Sequence, residues 1–257
     1  MVNKFNFFFP ASGEERRIHL YLPDNYFETD ERYAVLYMFD GHNLFFDADA
    51  TFGKSLGLKE FLDNYWKGLI VVGIECAHDD WTRVCEYCPY DIQSRIYGHI
   101  PGRGLQTFDW IAQSLKPYID SRYRTVASRE ATAIAGYSMG GMMALYGVLH
   151  FNHVFSKAAV ISAAFQPAMN QFRHEITTGT FNLDTRIFFS WGTQELADEW
   201  DLENRIRELE WLVQQKGIKT YLLRNEGGNH NEASWQYEVP HWMRFLWEQR
   251  KLIHYNI

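Results

Sequence analysis

Short apolar runs rich in β-branched and aromatic residues recur along the chain, with room for helices between them. Such runs are typical of strands that are covered on both faces of a sheet. They predict buried strands at 33–39, 68–74, 130–138, 157–162, 186–192 and 218–225. Two earlier runs, at 6–9 and 17–22, predict strands at an antiparallel edge of the same sheet.

Amphipathic segments of helical period lie between these strands. They predict helices at 58–66, 104–120, 139–150, 201–217 and 233–251. Pro117 and Pro240 fall inside two of them, so we expect a kink or a break at each. Strands that alternate with helices predict an α/β fold, a mostly parallel sheet of about eight strands with helices on both faces.

The chain length of 257 residues favours a single domain over 1–257. Two stretches interrupt the alternation of strands and helices. A long irregular arm at 76–103 has a length that usually serves function, and a short insertion lies at 165–185. The insertion is too short for the extensive lid of a lipase that works on oil droplets.

Charge and composition exclude several classes of partner. The net charge is −7 and no basic run is present, which argues against a nucleic-acid partner. The longest strongly apolar run, GLIVVGI, is far shorter than a membrane span, and FNFFFP is too short for a signal peptide. Three cysteines, Cys76, Cys85 and Cys88, suit reduced thiols better than a disulfide framework. We therefore expect a cytoplasmic protein, monomer or homodimer, with no membrane partner.

The segment AGYSMGG places a serine at a tight turn between a predicted strand and a predicted helix. It fits G-x-S-x-G with Ser138 at the centre, and the glycines allow a turn sharp enough to expose the hydroxyl. The pattern predicts that Ser138 is a nucleophile; a small-residue turn without chemistry is the alternative. The N–H of Met139, at the first turn of the helix, is placed to donate to a developing oxyanion.

A serine nucleophile needs a base and an acid that orients the base, in the chain order Ser, acid, His. His230 lies in the glycine-rich segment NEGGNHNEASW after the last strand, and so at the carboxyl edge of the sheet. Glu195 lies in the turn GTQE that follows the preceding strand. Asp198 and Glu199, in the same loop, remain rivals for the acid.

A second oxyanion donor is expected from the loop after the strand at 33–39, which reads DGHNLFFD. Gly41 allows a turn there, and the N–H groups of His42 and Asn43 are the candidates. Asp40 needs partners if it is buried, and it either braces the loop or binds a substrate hydroxyl.

Three motifs in order, LYMFDGHNLFFD, GYSMGG and GGNHNEASW, resemble the putative esterase family of α/β-hydrolases, which includes enterochelin-esterase-like and feruloyl-esterase-like enzymes. The resemblance implies the α/β-hydrolase fold and a serine esterase, with Ser138, His230 and the acid of the GTQE turn matching the family's pattern. That acid varies between Asp and Glu in the family. Many relatives carry Gln in place of His42, so the resemblance implies a role for the backbone at this position rather than for the imidazole.

The arm carries an R-x-x-E-Y element that borders the active site in relatives, matched by Arg83, Glu86 and Tyr87. We expect Arg83 to pair with Glu86 and hold the arm; binding of a substrate carboxylate is the alternative. The C-x-x-C in the same segment would need Cys76 and a histidine such as His78 to hold zinc. No P-loop, H-E-x-x-H or G-x-G-x-x-G opening a helix occurs, so we expect no metal and no cofactor.

Aromatic residues make up 17% of the chain, enough both to pack a core and to line a cleft. Candidates for lining a substrate pocket are Phe165, Trp235, Leu56 and Trp81, and for each of them core packing is the alternative.

The sequence thus predicts a serine carboxylic-ester hydrolase that works through an acyl-enzyme on a small ester or an aryl- or carbohydrate-linked one. A siderophore trilactone esterase, or another lactone esterase, is the alternative among enzymes. A catalytically silent binding protein with a hydrolase fold is the alternative of another class.

Overall fold

A computed structural model of the chain describes residues 1–94, 98–195 and 202–248. Within these residues, eight strands form one sheet and two short strands form a separate hairpin. The strands are β1 Val2–Phe9, β2 Glu14–Tyr21, β3 Ala34–Phe39, β4 Leu69–Ile74, β5 Ile92–Ser94, β6 Gly98–Ile100, β7 Thr132–Tyr137, β8 Lys157–Ile161, β9 Arg186–Gly192 and β10 Lys219–Asn225. The order in the large sheet is β1-β2-β4-β3-β7-β8-β9-β10, and β5 pairs with β6.

The large sheet is antiparallel at one edge and parallel elsewhere. β1 pairs antiparallel with β2, and β2 pairs antiparallel with β4. From β4 through β3, β7, β8 and β9 to β10, neighbouring strands run parallel. The eight strands predicted from the apolar pattern are confirmed. The pattern does not predict the β5–β6 hairpin, because strands of three residues are too short to show alternation.

Helices cover both faces of this sheet. They are α1 Leu58–Asp63, α2 Asp80–Glu86, α3 Gly104–Trp110, α4 Lys116–Arg122, α5 Met139–His150, α6 Met169–Thr178, α7 Leu202–Gln215 and α8 Glu232–Trp247. Each predicted helix is present in whole or in part; position 201 and positions 249–251 of two of them lie outside the described residues. Among the described helices, none is both long and apolar enough to cross a membrane.

Two helices lie where the sequence predicts irregular chain. α2 lies in the arm and α6 in the insertion at 165–185. α2 begins after Asp79, whose carboxylate accepts the Thr82 N–H at 2.8 Å, a typical N-cap. The described part of the arm is therefore more ordered than its composition suggests, because capping and packing stabilise a helix that has little periodicity of its own.

The two prolines behave differently from each other. A π-helical turn, Ile111–Leu115, separates α3 from α4 just before Pro117, as expected where a proline ring crowds the preceding turn. α8 continues through Pro240, so a break there is wrong. Pro240 lies on the exposed side of α8, where water can satisfy the carbonyl that loses its donor.

Alternate residues of the central strands pack into separate apolar layers, because successive side chains of a strand point to opposite faces. In β3, Val35, Tyr37 and Phe39 join the layer that contains α5, whereas Leu36 and Met38 join the layer that contains α1 and α8. Both faces of the central strands are thus buried, which agrees with the α/β architecture.

The carboxyl ends of the parallel strands meet at one edge of the sheet. Asp40 follows β3, Ser138 follows β7 and Ser162 follows β8. Glu195 comes shortly after β9, and His230 lies between β10 and α8. The candidate chemistry is therefore gathered at this edge.

Candidate active site

Ser138 occupies a strained turn between β7 and α5. Its φ of 55° and ψ of −124° are a combination that L residues rarely adopt. The turn is held on both sides, since the Ser138 N–H donates to Ile161 O and the Ala164 N–H donates to Ser138 O, each at 3.0 Å. A Cβ on Gly136 would lie 2.3 Å from Gly140 O, so the turn requires glycine there.

His230 and Glu195 form the pair that the chain order predicts. Nδ1 of His230 lies 2.9 Å from Oε2 of Glu195. An ionised carboxylate only accepts hydrogen bonds, so Nδ1 carries the proton and Nε2 is left as a base. The His230 side chain is 38% exposed and that of Glu195 is 3% exposed. The imidazole thus lines the same cleft as Ser138, with the acid buried behind it.

The Glu195 carboxylate has donors beyond the histidine. Its Oε1 accepts the Gly192 N–H at 2.7 Å and the Ser162 hydroxyl at 2.5 Å. Buried charge is costly unless it is hydrogen-bonded, and these bonds satisfy that requirement. The rival acids, Asp198 and Glu199, lie outside the described residues.

The loop that carries His230 is fixed at the start of α8. Asn231 caps the helix, its side-chain oxygen accepting the Ser234 N–H at 3.0 Å. The Ser234 hydroxyl in turn accepts the Asn229 N–H at 2.8 Å. The residues on either side of His230 are therefore tied to the helix, which holds the imidazole in place.

The candidate oxyanion donors are two backbone N–H groups. The Met139 N–H belongs to the first turn of α5, where N–H groups have no acceptor within the helix. The Asn43 N–H donates to Asp40 O at 2.9 Å, which leaves His42 as the candidate of the second loop. The His42 imidazole is bonded through Nε2 to the Thr51 hydroxyl at 3.0 Å. Burial lowers the pKa of His42, which favours a neutral ring.

The loop at His42 is braced by an ion pair from the arm. Asp40 has a left-handed φ of 56°, and its side chain is 2% exposed. Arg83 donates from Nε and Nη2 to the two carboxylate oxygens of Asp40, at 3.2 and 3.1 Å. The Asp40 N–H donates to the Tyr87 hydroxyl at 3.1 Å. Asp40 thus braces the loop, one of its two predicted roles.

The predicted pairing of Arg83 with Glu86 is wrong. Glu86 instead bonds Arg16 of β2, deep under the arm. Arg83 points to the cleft side of α2, where the buried Asp40 needs a counter-ion more than the already paired Glu86 does. Burial acts to lower the pKa of Arg83, but the charge and hydrogen bonds of Asp40 raise it above its ordinary value.

The site opens as one cleft of about 570 Å³. Its lining includes Ser138, His230, Arg83, His42 and Trp235. Phe52 also lines it and is 82% exposed, so the face of its ring is open to the cleft.

Two of the predicted pocket residues belong to the core. Phe165 and Leu56 are fully buried and do not line the cleft, and Phe165 packs edge-to-face on Phe172 of α6. Trp81 is also outside the cleft lining. Trp235 lines the cleft as predicted, but only 3% of it is exposed.

Asp40, His42 and Cys76 bring a carboxylate, an imidazole and a thiol within 4.8 Å of one another. Arg83 occupies both oxygens of that carboxylate, and its positive charge opposes a metal ion. Burial raises the pKa of the Cys76 thiol, which disfavours the thiolate that binds metals. The donor set therefore fits an ion pair better than a metal. The two C-x-x-C cysteines are buried free thiols elsewhere in the arm.

Sequence reasoning misses two groups around the acid. Ser162, which bonds Glu195, ends β8 at the carboxyl edge of the sheet, and that position is the signal that could have found it. Glu238 of α8 is a fully buried carboxyl whose Oε1 accepts the Asn225 side-chain N–H at 2.9 Å. Burial, with the nearby charge of Glu195, raises the pKa of Glu238 to about 7.

The chain is similar to proteins that are described as esterases. The family model described as "Putative esterase" matches residues 10–246. Esterase MT1326 of Mycobacterium tuberculosis is 30% identical over 150 residues, which are 58% of this chain and 29% of that protein. The chain thus covers less than a third of the length of that relative.

Solved structures share the fold. A ferulic acid esterase superposes with a TM-score of 0.74 at 17% identity, covering 96% of this chain and 97% of the other. The siderophore hydrolase EstA from Aspergillus nidulans superposes with a TM-score of 0.72 at 18% identity, covering 93% of each chain. The predicted fold is confirmed: the chain has the α/β-hydrolase fold and belongs to the Putative esterase family.

Proposed function

We propose that the protein is a carboxylic-ester hydrolase that works through an acyl-enzyme on Ser138. The observation that carries the proposal is the 2.9 Å contact between His230 Nδ1 and Glu195 Oε2, in the cleft where Ser138 stands in its strained turn. A base with a defined tautomer that lines the same cleft as a half-buried serine supports nucleophilic catalysis of acyl transfer. Membership of an esterase family supports the same reaction.

The first half-reaction forms the acyl-enzyme. Nε2 of His230 takes the hydroxyl proton of Ser138 as Oγ attacks the ester carbonyl carbon. The backbone N–H groups of Met139 and His42 donate to the oxyanion that develops. Glu195 stabilises the imidazolium through Nδ1–H. The imidazolium then gives its proton to the leaving alcohol as the carbon–oxygen bond of the ester breaks.

The second half-reaction releases the acid. His230 takes a proton from water, and the hydroxide equivalent attacks the acyl carbon. The same N–H groups hold the second oxyanion. The bond to Ser138 Oγ breaks as the imidazolium returns the proton to it. Ser138, His230 and Glu195 are thereby restored, and the sequence of steps needs no cofactor.

The cleft suits a small ester or one with an aryl or carbohydrate group. It is open, and it presents polar side chains beside the exposed ring of Phe52. A siderophore ester is the second candidate, favoured by the likeness to a siderophore hydrolase. The alternative outside the enzymes is a protein that binds its ligand in this cleft without hydrolysing it.

Hydrolysis of short p-nitrophenyl esters tests the proposal. We expect turnover by the wild type, none above background by Ser138→Ala, and a loss of about a thousandfold or more in kcat for His230→Ala. His241→Ala, on α8 but outside the cleft lining, is the matched control and is expected to keep its rate. Equal slow rates for wild type and Ser138→Ala would contradict the proposal and favour a binding protein. A panel of acetyl, feruloyl and siderophore-type esters then separates the substrate classes.

A further inference from the structure

The acid of the proposed triad receives hydrogen bonds on both of its oxygens. His230 bonds Oε2, whereas Gly192 and Ser162 bond Oε1. A carboxylate with one oxygen fixed cannot rotate about its own axis without breaking those bonds. The donors on Oε1 therefore decide which way Oε2 points.

The direction of the Ser162 hydroxyl is fixed by a second partner. Trp235 Nε1 lies 2.9 Å from Ser162 Oγ, and an indole N–H can only donate. Ser162 must accept from Trp235, so its own proton is free for Glu195. The result is a one-way chain of hydrogen bonds from Trp235 through Ser162 to Glu195.

Trp235 also contacts the base and the nucleophile's neighbour. Its ring lies edge-to-face with the His230 ring, with centroids 4.9 Å apart. It stacks on Tyr137, the residue before Ser138, with centroids 4.2 Å apart. One buried side chain thus links the acid, the base and the nucleophile turn.

The backbone is strained at Ser162, the residue whose hydroxyl donates to Glu195. Its φ is 45°, in the left-handed region that few residues other than glycine occupy. The Ser162 N–H is held by Ser190 O at 3.0 Å. A glycine would fit the backbone better, but it would lack the hydroxyl.

We propose that Ser162 and Trp235 are positioning residues of the reaction: the Trp235–Ser162–Glu195 chain aims Oε2 at His230, and the Trp235 ring sets the plane of the imidazole. This inference rests on the proposed function. Ser162 does not line the cleft, so it acts through Glu195 and not on the substrate.

The test compares serines at the two ends of β8. Ser156 precedes the strand and Ser162 follows it, and each is 1% exposed. We expect Ser162→Ala to lower kcat by about tenfold or more with KM nearly unchanged, because it removes one hydrogen bond to a charged group. Ser156→Ala, far from the cleft, is expected to keep the wild-type kcat.

Further variants separate the hydroxyl from the backbone and from the ring. Ser162→Gly relieves the backbone strain yet is expected to lose as much kcat as Ser162→Ala. Trp235→Phe keeps an aromatic ring but replaces the indole by a smaller phenyl without an N–H, and its kcat is expected to fall between those of Ser162→Ala and the wild type.

The pH profile of kcat/KM supplies a readout that a merely structural role would not move. A carboxylate that loses a donor attracts the imidazolium proton more strongly, so the acid limb is expected at higher pH in both Ser162 variants. An unmoved limb, or a kcat equal to that of Ser156→Ala, would overturn the inference while the wild type still hydrolyses esters. A wild type without ester hydrolysis would overturn the proposed function and this inference with it.

Discussion

Two of the histidines that line the cleft, His230 and His42, are held in different ways. One ring nitrogen of His230, Nδ1, is hydrogen-bonded to the buried carboxylate of Glu195, and the other, Nε2, is available in the cleft. His42 is bonded through Nε2 to Thr51, and burial favours its neutral form. In the proposed mechanism, the side chain is the working group on the acid–base side, that of His230, whereas the backbone N–H is the working group on the oxyanion side, that of His42.

The supports of the two sides differ in the same way. Dedicated hydrogen bonds from Ser162 and Gly192 orient Glu195. On the other side, the Asp40–Arg83 ion pair holds a turn, with the arm supplying the cation. A substitution on the first side should therefore change the chemistry, and one on the second side should mainly change stability and shape.

The largest expected effect is on the acid. Glu195→Gln replaces an acceptor by an amide that cannot hold the Nδ1–H tautomer with equal strength, so kcat should fall by about a thousandfold or more. The rate of p-nitrophenyl acetate hydrolysis measures it. Glu203→Gln, at a partly exposed glutamate of α7, is the control. An active Glu195→Gln together with an inactive Asp198→Asn would assign the acid to Asp198 instead.

The second-largest effect is expected at Glu238, the buried carboxyl near Glu195, and it concerns how stability depends on pH. The pKa of Glu238 is about 7 in the folded chain against 4.5 when unperturbed, so the unfolded state releases its proton first as pH rises. The folded state should lose about 3 kcal/mol of stability from this group between pH 4.5 and about 7. Glu238→Gln should remove that loss. Its free energy of unfolding, compared with that of the wild type, should therefore be higher at pH 8.5 than at pH 5.

Urea denaturation of both proteins at the two pH values measures the gain. Glu28→Gln, on the surface, should show no such difference. Parallel pH dependence in wild type and Glu238→Gln would contradict the account of this side.

The third-largest effect is expected from breaking the Asp40–Arg83 ion pair on the oxyanion side, and it concerns stability. Arg83→Met leaves the Asp40 carboxylate buried without a counter-ion, which should cost about 2 kcal/mol of unfolding free energy after allowance for the partial exposure of Arg83. Adding Asp40→Asn should recover much of it. Arg244→Met, which breaks an exposed pair, should cost less than about 0.5 kcal/mol. If both arginine variants unfold at the same urea concentration, the arm does not brace the loop.

The smallest effect is expected at His42. His42→Ala keeps the backbone N–H, so kcat should stay within about threefold of the wild type. His230→Ala, the matched change across the cleft, should lose orders of magnitude. A hundredfold loss in His42→Ala would give the imidazole a part in the chemistry.

How far the sequence predicts the molecule depends on the range of the interaction. Strand positions follow from apolar runs, and the places of the candidate residues Ser138, Glu195 and His230 follow from their order at strand ends, so these positions could be predicted. The partner of Arg83 could not, because a contact between the arm and β3 depends on three-dimensional packing. The same holds for Phe165, where sequence does not tell an aromatic that lines a cleft from one that packs beneath it.

The measurement closest to the central claim is rapid quenching of the wild type with p-nitrophenyl acetate, followed by mass spectrometry of the peptide that contains Ser138. We predict an acetyl group on Ser138, more abundant when deacylation is slowed at low pH and absent from Ser138→Ala. Turnover with no acyl group on Ser138, or with the acyl group on another residue, would contradict the account.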